Sequence, residues 1–182
     1  MEVYLIRHTT PDIEKGICYG QTDVLLKASF DEETKIILQK LPANIEIIYT
    51  STLTRCRQLA NYLSSHLALP IVEDVRLKEL NFGDWEMKKW DDIDQSQLKS
   101  WMHNYVNEKC PNGESYYDLA CRATSFLTEI KLKKLERALI VTHHGIMKAL
   151  YSAANQIPLE EAMKQNWGYG VLTVLGIKDD RK

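Results

Sequence analysis

Short apolar runs alternate with longer stretches in which apolar residues recur at threes and fours. Val3-Tyr4-Leu5-Ile6, Ile45-Glu46-Ile47-Ile48-Tyr49 and Ala138-Leu139-Ile140-Val141 are brief, rich in β-branched side chains and mostly unbroken by polar residues. That pattern belongs to strands covered on both faces. Ile71-Val72 and Val171-Leu172-Thr173-Val174-Leu175 are weaker runs of the same kind, which brings the expected sheet to about five strands.

Between these runs the period changes. From Leu53 to Leu67 the residues Leu53, Cys56, Leu59, Ala60 and Leu63 fall on one face of a helix. A second helix is expected over 116–135, carrying Leu119, Ala123, Phe126, Leu127 and Ile130, with Ser115 and Asp118 placed as a capping pair. A third follows Gly145 through Ile146, Leu150 and Ala153 and stops before Pro158. Strands alternating with helices require crossover connections, so the pattern predicts a three-layer α/β/α fold with a mostly parallel central sheet. Residues 81–114, richer in Trp, Asp, Asn and Lys, read as an insertion over the sheet and the active site within a single domain spanning 1–182.

Composition narrows the function. With 23 basic and 25 acidic side chains the formal charge is -2, which provides no broad positive field for nucleic acid. The N-terminal residues lack the basic and apolar pattern of a secretory signal, and no apolar run reaches membrane-spanning length. Cys18, Cys56, Cys110 and Cys121 are scattered, with no C-x-x-C pair. The expectation is a cytoplasmic protein with reduced thiols, partnered by neither nucleic acid nor membrane.

The polar residues at the ends of the strand-like runs carry the chemistry. One run ends in Arg7-His8-Thr9-Thr10, the second in Thr50-Ser51-Thr52-Leu53-Thr54-Arg55, and the run from Ala138 in Thr142-His143-His144-Gly145. Ligands of open α/β sheets gather at such carboxyl ends. Two arginines and two histidines converging there suit a phosphoryl group, whose charge is spread over several oxygens. Arginine matches phosphate with a planar fork of donors, and the helix starting near Leu53 would add backbone donors and the positive end of its dipole. Neutral imidazole can attack phosphorus without first losing a proton, and neighbouring arginines would keep it neutral. Glu79, among aromatic neighbours, is a candidate proton donor to the leaving alkoxide. His66 and His103 lie in polar helical stretches and read as surface residues, while Trp85, Trp90 and Trp101 read as packing residues.

These motifs together resemble the histidine phosphatase superfamily, the phosphoglycerate mutase-like proteins, over nearly the whole chain. Leu5-Ile6-Arg7-His8 is similar to the family's Arg-His signature, and Tyr19-Gly20-Gln21-Thr22-Asp23 to its glycine-x-x-aspartate loop. Ser51-Thr52-Leu53-Thr54-Arg55, Glu79 with Phe82-Gly83-Asp84-Trp85-Glu86, Gly113-Glu114-Ser115 and Val141-Thr142-His143 follow in the family's order. The resemblance implies that His8 accepts the phosphoryl group of a small-molecule phosphomonoester while Arg7, Arg55 and His143 bind its oxygens. It implies that Glu79 protonates the leaving group and then deprotonates water, with no metal and no cofactor. Tyr19, Gly20, Thr9, Thr10 and His144 are expected around the substrate. The stretch from Arg7 to Asp23 is most similar to α-ribazole-5'-phosphate phosphatases, which act in cobalamin nucleotide-loop assembly; a broad phosphomonoesterase, a phosphoglycerate mutase and a non-catalytic phosphometabolite-binding module are the alternatives. Thr9 and Thr10 stand where many members have Gly-Glu, Ile13 and Glu14 occupy the stretch where an asparagine is common, and Leu25 stands where a proline is usual; a threonine hydroxyl is expected to replace the missing amide donor. Extended backbone would point His143 and His144 to opposite sides, with His143 facing the pocket.

Overall fold

Along β1 (Glu2–Arg7) successive side chains enter different cores. Val3 and Leu5 join Tyr49, Ala138 and Ile140 on one face, while Tyr4 and Ile6 join Ile48, Leu139 and Val141 on the other. Period-two alternation with both faces apolar is what made the run read as unbroken. The computed structural model describes residues 1–177. Its sheet comprises β1, β2 (Ile47–Ser51), β3 (Ile71–Asp74), β4 (Arg137–Thr142) and β5 (Leu172–Gly176), in the order β3-β2-β4-β1-β5. The first four are parallel, and β5 runs antiparallel to β1 at the edge.

Helices α1 (Phe30–Lys40) and α2 (Thr54–Leu67) contribute to one apolar cluster, and α4 (Tyr116–Lys131) and α5 (His144–Asn155) to the other. Two short helices complete the set, α3 (Gln95–Asn104) and α6 (Leu159–Ala162). The expected helix over 116–135 ends earlier, followed by Lys134 in the left-handed region at φ 51°. Its start is the predicted capping box, with Ser115 Oγ accepting from the Asp118 amide and Asp118 accepting from the Ser115 amide. Helices α1 and α3 were not expected. Residues 81–114 hold two 3-10 turns and α3, and bury Trp85, Ile93, Leu98 and Cys110 with Cys18 in a small cluster; Phe82 and Trp101 pack against both this cluster and the main core. No helix among the described residues is long and apolar enough to cross a membrane.

The register fixes the site. Arg7 lies opposite Thr142, and Thr50 opposite Val141, so β1, β2 and β4 end at nearly one level. The His8 amide donates to the Thr142 carbonyl at 3.0 Å, holding the residue after β1 against the end of β4.

Candidate active site

A cleft of about 200 Å³ opens at these strand ends, lined by Arg7, His8, Tyr19, Arg55, Glu79, Tyr116, His144 and Gly145, with Ile17, Leu80, Phe82 and Trp90 completing its wall. Arg7, His8, Arg55 and Glu79, predicted from three separate segments, therefore meet in one place. His8 is 2% exposed, and its Nδ1 sits 2.8 Å from the Thr9 carbonyl. A carbonyl only accepts, so this bond puts the proton on Nδ1 and leaves the Nε2 lone pair free. Burial first, then the charges of Arg55 and Arg7, hold the imidazole well below its ordinary pKa and keep it neutral.

Arg55, fully buried in the first turn of α2, donates through Nη1 to the Thr22 carbonyl at 2.9 Å and through Nη2 to the Gly20 carbonyl at 2.6 Å. Arg7 donates through Nη1 to the Trp167 carbonyl at 3.1 Å. The Nε–H groups of both arginines are buried with no acceptor among the described residues. Two orphaned charged donors beside a neutral histidine form a cradle for an anion, since a buried unpaired N–H is otherwise destabilising.

His143 caps the N-terminus of α5 and is fully buried, its ring centroid 5.2 Å from that of His8. Its Nε2 lies 2.8 Å from Ser51 Oγ, and burial with the charge of Arg55 keeps it neutral. His144, not His143, appears on the wall of the cleft. The alternation argument assumed extended backbone through both residues, whereas the helix begins at His144. His144 Nε2 accepts from the Trp167 amide at 3.3 Å, and burial lowers its pKa to about 4.

Glu79 accepts from the Leu80 amide at 3.0 Å and from the Gly145 amide at 3.2 Å. Arg122 fixes its backbone, with Nη2 donating to the Glu79 carbonyl at 2.9 Å. The remaining expectations fall differently. Gly20 lies off the cleft and supports it: a Cβ there would overlap the Leu80 carbonyl and reach 2.6 Å from Glu86 Oε1, and its own carbonyl holds Arg55. Thr9 is fully buried with its hydroxyl unpartnered, and Thr10 gives its amide (2.9 Å) and hydroxyl (3.2 Å) to Glu33, so neither lines the cleft. Two of the donors expected of the α2 N-terminus are used within the protein, the Leu53 amide by Ser51 Oγ and the Thr54 amide by Asp23. Trp85 and Trp90 pack as expected, and Trp90, which meets Phe82 edge to face at 5.5 Å, also lines the cleft. Tyr169 escaped the sequence reading. It lies in a loop without periodicity, yet its ring sits 5.4 Å from that of His8. Among the described residues no cluster of three or more His, Cys, Asp or Glu has the arrangement of a metal site.

A parallel sheet whose strand ends bring an Arg-His pair, a second buried arginine, a second histidine and a carboxylate into one cleft defines a phosphate-handling enzyme. The chain belongs to the histidine phosphatase superfamily (branch 1), whose family model matches residues 3–182. Members are phosphatases and mutases, so this protein is an enzyme that acts on phosphate esters. A Hydrogenobacter thermophilus protein named "Putative phosphoserine phosphatase 2" is 31% identical over 163 residues, covering 87% of this chain and 80% of the relative. The adenosylcobalamin/alpha-ribazole phosphatase of Escherichia coli is 26% identical over 167 residues, covering 88% and 82%. The crystal structure of the alpha-ribazole phosphatase from Shigella flexneri superposes with a TM-score of 0.90 over 98% of this chain and 91% of that one, a likeness of fold at 24% identity.

Proposed function

We propose that this enzyme hydrolyses a small-molecule phosphomonoester through a phosphohistidine on His8, and that its favoured substrate is α-ribazole 5'-phosphate. The observation that carries the reading is the neutral His8, with Nδ1 bonded to the Thr9 carbonyl, set beside the unpaired Nε–H donors of Arg7 and Arg55. Nε2 attacks phosphorus while the two guanidinium groups stabilise the charge on the equatorial oxygens, and His143 packs behind His8 at 5.2 Å between ring centroids. The phosphorus–oxygen ester bond breaks, and Glu79 gives its proton to the departing alkoxide. Glu79 then takes a proton from water, which attacks the phosphohistidine and releases phosphate with His8 restored.

The outer wall of the cleft favours the substrate. Ile17, Phe82 and Trp90 line the same cleft as His8 and the arginines and give it apolar and aromatic surface. Such a wall suits the flat, uncharged base of a nucleoside-like alcohol. It offers poor partners to the ammonium and carboxylate of phosphoserine, which lose solvation on entering apolar surroundings. The E. coli relative named for alpha-ribazole supports the same substrate.

The test is a panel of phosphate monoesters assayed by phosphate release. Expected is the highest kcat/KM for α-ribazole 5'-phosphate, with Trp90→Ala narrowing its lead over glycerol phosphate by about tenfold, the worth of one desolvated aromatic stack. Equal or better turnover of phosphoserine would reject the substrate. Transfer dependent on a bisphosphate primer would make the enzyme a mutase.

A further inference from the structure

Arg7 and Arg55 come from unrelated elements, the end of β1 and the first turn of α2. A phosphoryl group gripped by both needs their edges at a fixed separation, since small displacements of preorganised donors weaken transition-state binding steeply. Arg55 is held by two carbonyls. Among the described residues the Arg7 side chain has one hydrogen bond, to the Trp167 carbonyl, and its other restraint is aromatic: the guanidinium carbon lies 3.8 Å from the centroid of the Tyr169 ring. A planar cation stacked on a ring cannot turn about its long axis without leaving the face.

The same tyrosine reaches the second arginine. Its hydroxyl lies 2.7 Å from that of Tyr19, and the Tyr19 ring lies 5.5 Å from the Arg55 guanidinium carbon. The backbone of the loop is anchored to the residues it braces, because the Gly170 amide donates to the carbonyls of Arg7 (3.1 Å) and His8 (3.2 Å). Gly170 itself has φ 64°, a conformation favouring glycine.

We propose that Tyr169 is a positioning residue for the reaction, its ring setting the plane of the Arg7 guanidinium and its hydroxyl registering that plane, through Tyr19, against Arg55. The inference rests on Arg7 and Arg55 being the phosphate-holding pair. Its effect concentrates in the transition state, where the equatorial oxygens need both edges at once, and touches ground-state phosphate less.

The experiment compares Tyr169→Leu, Tyr169→Phe, Tyr19→Phe and the double Tyr19→Phe/Tyr169→Phe variant. It measures the binding of orthovanadate, which adopts the five-coordinate geometry, of inorganic phosphate, and turnover of p-nitrophenyl phosphate. Tyr169→Leu should weaken vanadate by about 10- to 30-fold and phosphate by about threefold or less, with the loss of turnover in kcat and not in KM. Tyr169→Phe keeps the stack and should recover most of that loss. The two single Phe variants should cost alike, and the double variant no more than either, because they break one bond. Equal weakening of vanadate and phosphate in Tyr169→Leu, or additive losses in the Phe variants, overturns the proposal; if Tyr169→Leu does not fold, the Phe cycle decides. A wild type that binds no vanadate and releases no phosphate removes the phosphatase reading and this inference with it, whereas an active wild type beside an indifferent Tyr169→Leu removes this inference alone.

Discussion

Gly145 determines how closely α5 approaches Glu79. Its amide donates to both carboxylate oxygens at 3.2 Å, and a Cβ in its place would overlap Oε1 and lie 2.9 Å from the Tyr116 hydroxyl. Gly145→Ala should therefore displace Glu79, lowering turnover and costing about 1–3 kcal/mol of folding stability, the usual penalty for one methyl too many. If Glu79 carries the proton, that loss of turnover and the loss in Glu79→Gln should both be larger for an alkyl phosphate than for p-nitrophenyl phosphate, whose leaving group needs no proton. Equal losses on the two substrates would reject the role. At this scale the sequence revealed groups within a few residues of a strand end, such as His8 and Arg55. It did not reveal that Trp90 also lines the cleft or that Tyr169 lies against Arg7 and His8, because both stand on backbone whose side-chain directions no period encodes.

Helix α2 illustrates what an element owes to a distant loop. Its N-cap, Leu53, has no capping side chain, and the role falls to Asp23, which accepts from the Thr54 amide at 2.8 Å and the Thr54 hydroxyl at 2.9 Å. The aspartate of the glycine-x-x-aspartate loop thus serves the helix that carries Arg55. Asp23→Ala should lower stability by about 1 kcal/mol in urea unfolding, as for other lost caps, and weaken phosphate binding through the first turn. Unchanged unfolding would show the cap to be dispensable. Strands β1, β2 and β4 and helices α2, α4 and α5 were legible because apolar residues dominate their buried faces. Helix α1 was not, because its buried face includes Thr34, which satisfies its hydroxyl on the Phe30 carbonyl at 2.9 Å. A polar residue that pairs within its own helix enters a core without marking the hydrophobic pattern.

For the whole molecule, the neutral buried histidines link stability to pH. His8 and His143 are held well below the ordinary value, whereas in the unfolded chain they titrate near 6.5. Below about pH 6.5 the unfolded state binds protons that the folded state refuses, so their contribution is constant above that pH and declines as pH falls. Each can remove up to about 1.4 kcal/mol per pH unit. Urea midpoints between pH 7 and 5 should fall accordingly, and His143→Gln should reduce the slope by about one proton; a flat wild-type profile would contradict the buried neutral pair. The α/β architecture and mostly parallel sheet followed from the run-and-period pattern, but the antiparallel edge placement of β5 did not, since strand direction depends on connections that hydrophobicity leaves unmarked. The strand ends bring His8 into one cleft with Arg7 and Arg55, and the most direct test of the proposed phosphohistidine is to quench the enzyme in alkali during turnover of a 32P-labelled monoester. The account predicts an acid-labile, base-stable label that maps to His8 and is absent from His8→Ala. Steady turnover without any label in wild type, or undiminished turnover in His8→Ala, would contradict it.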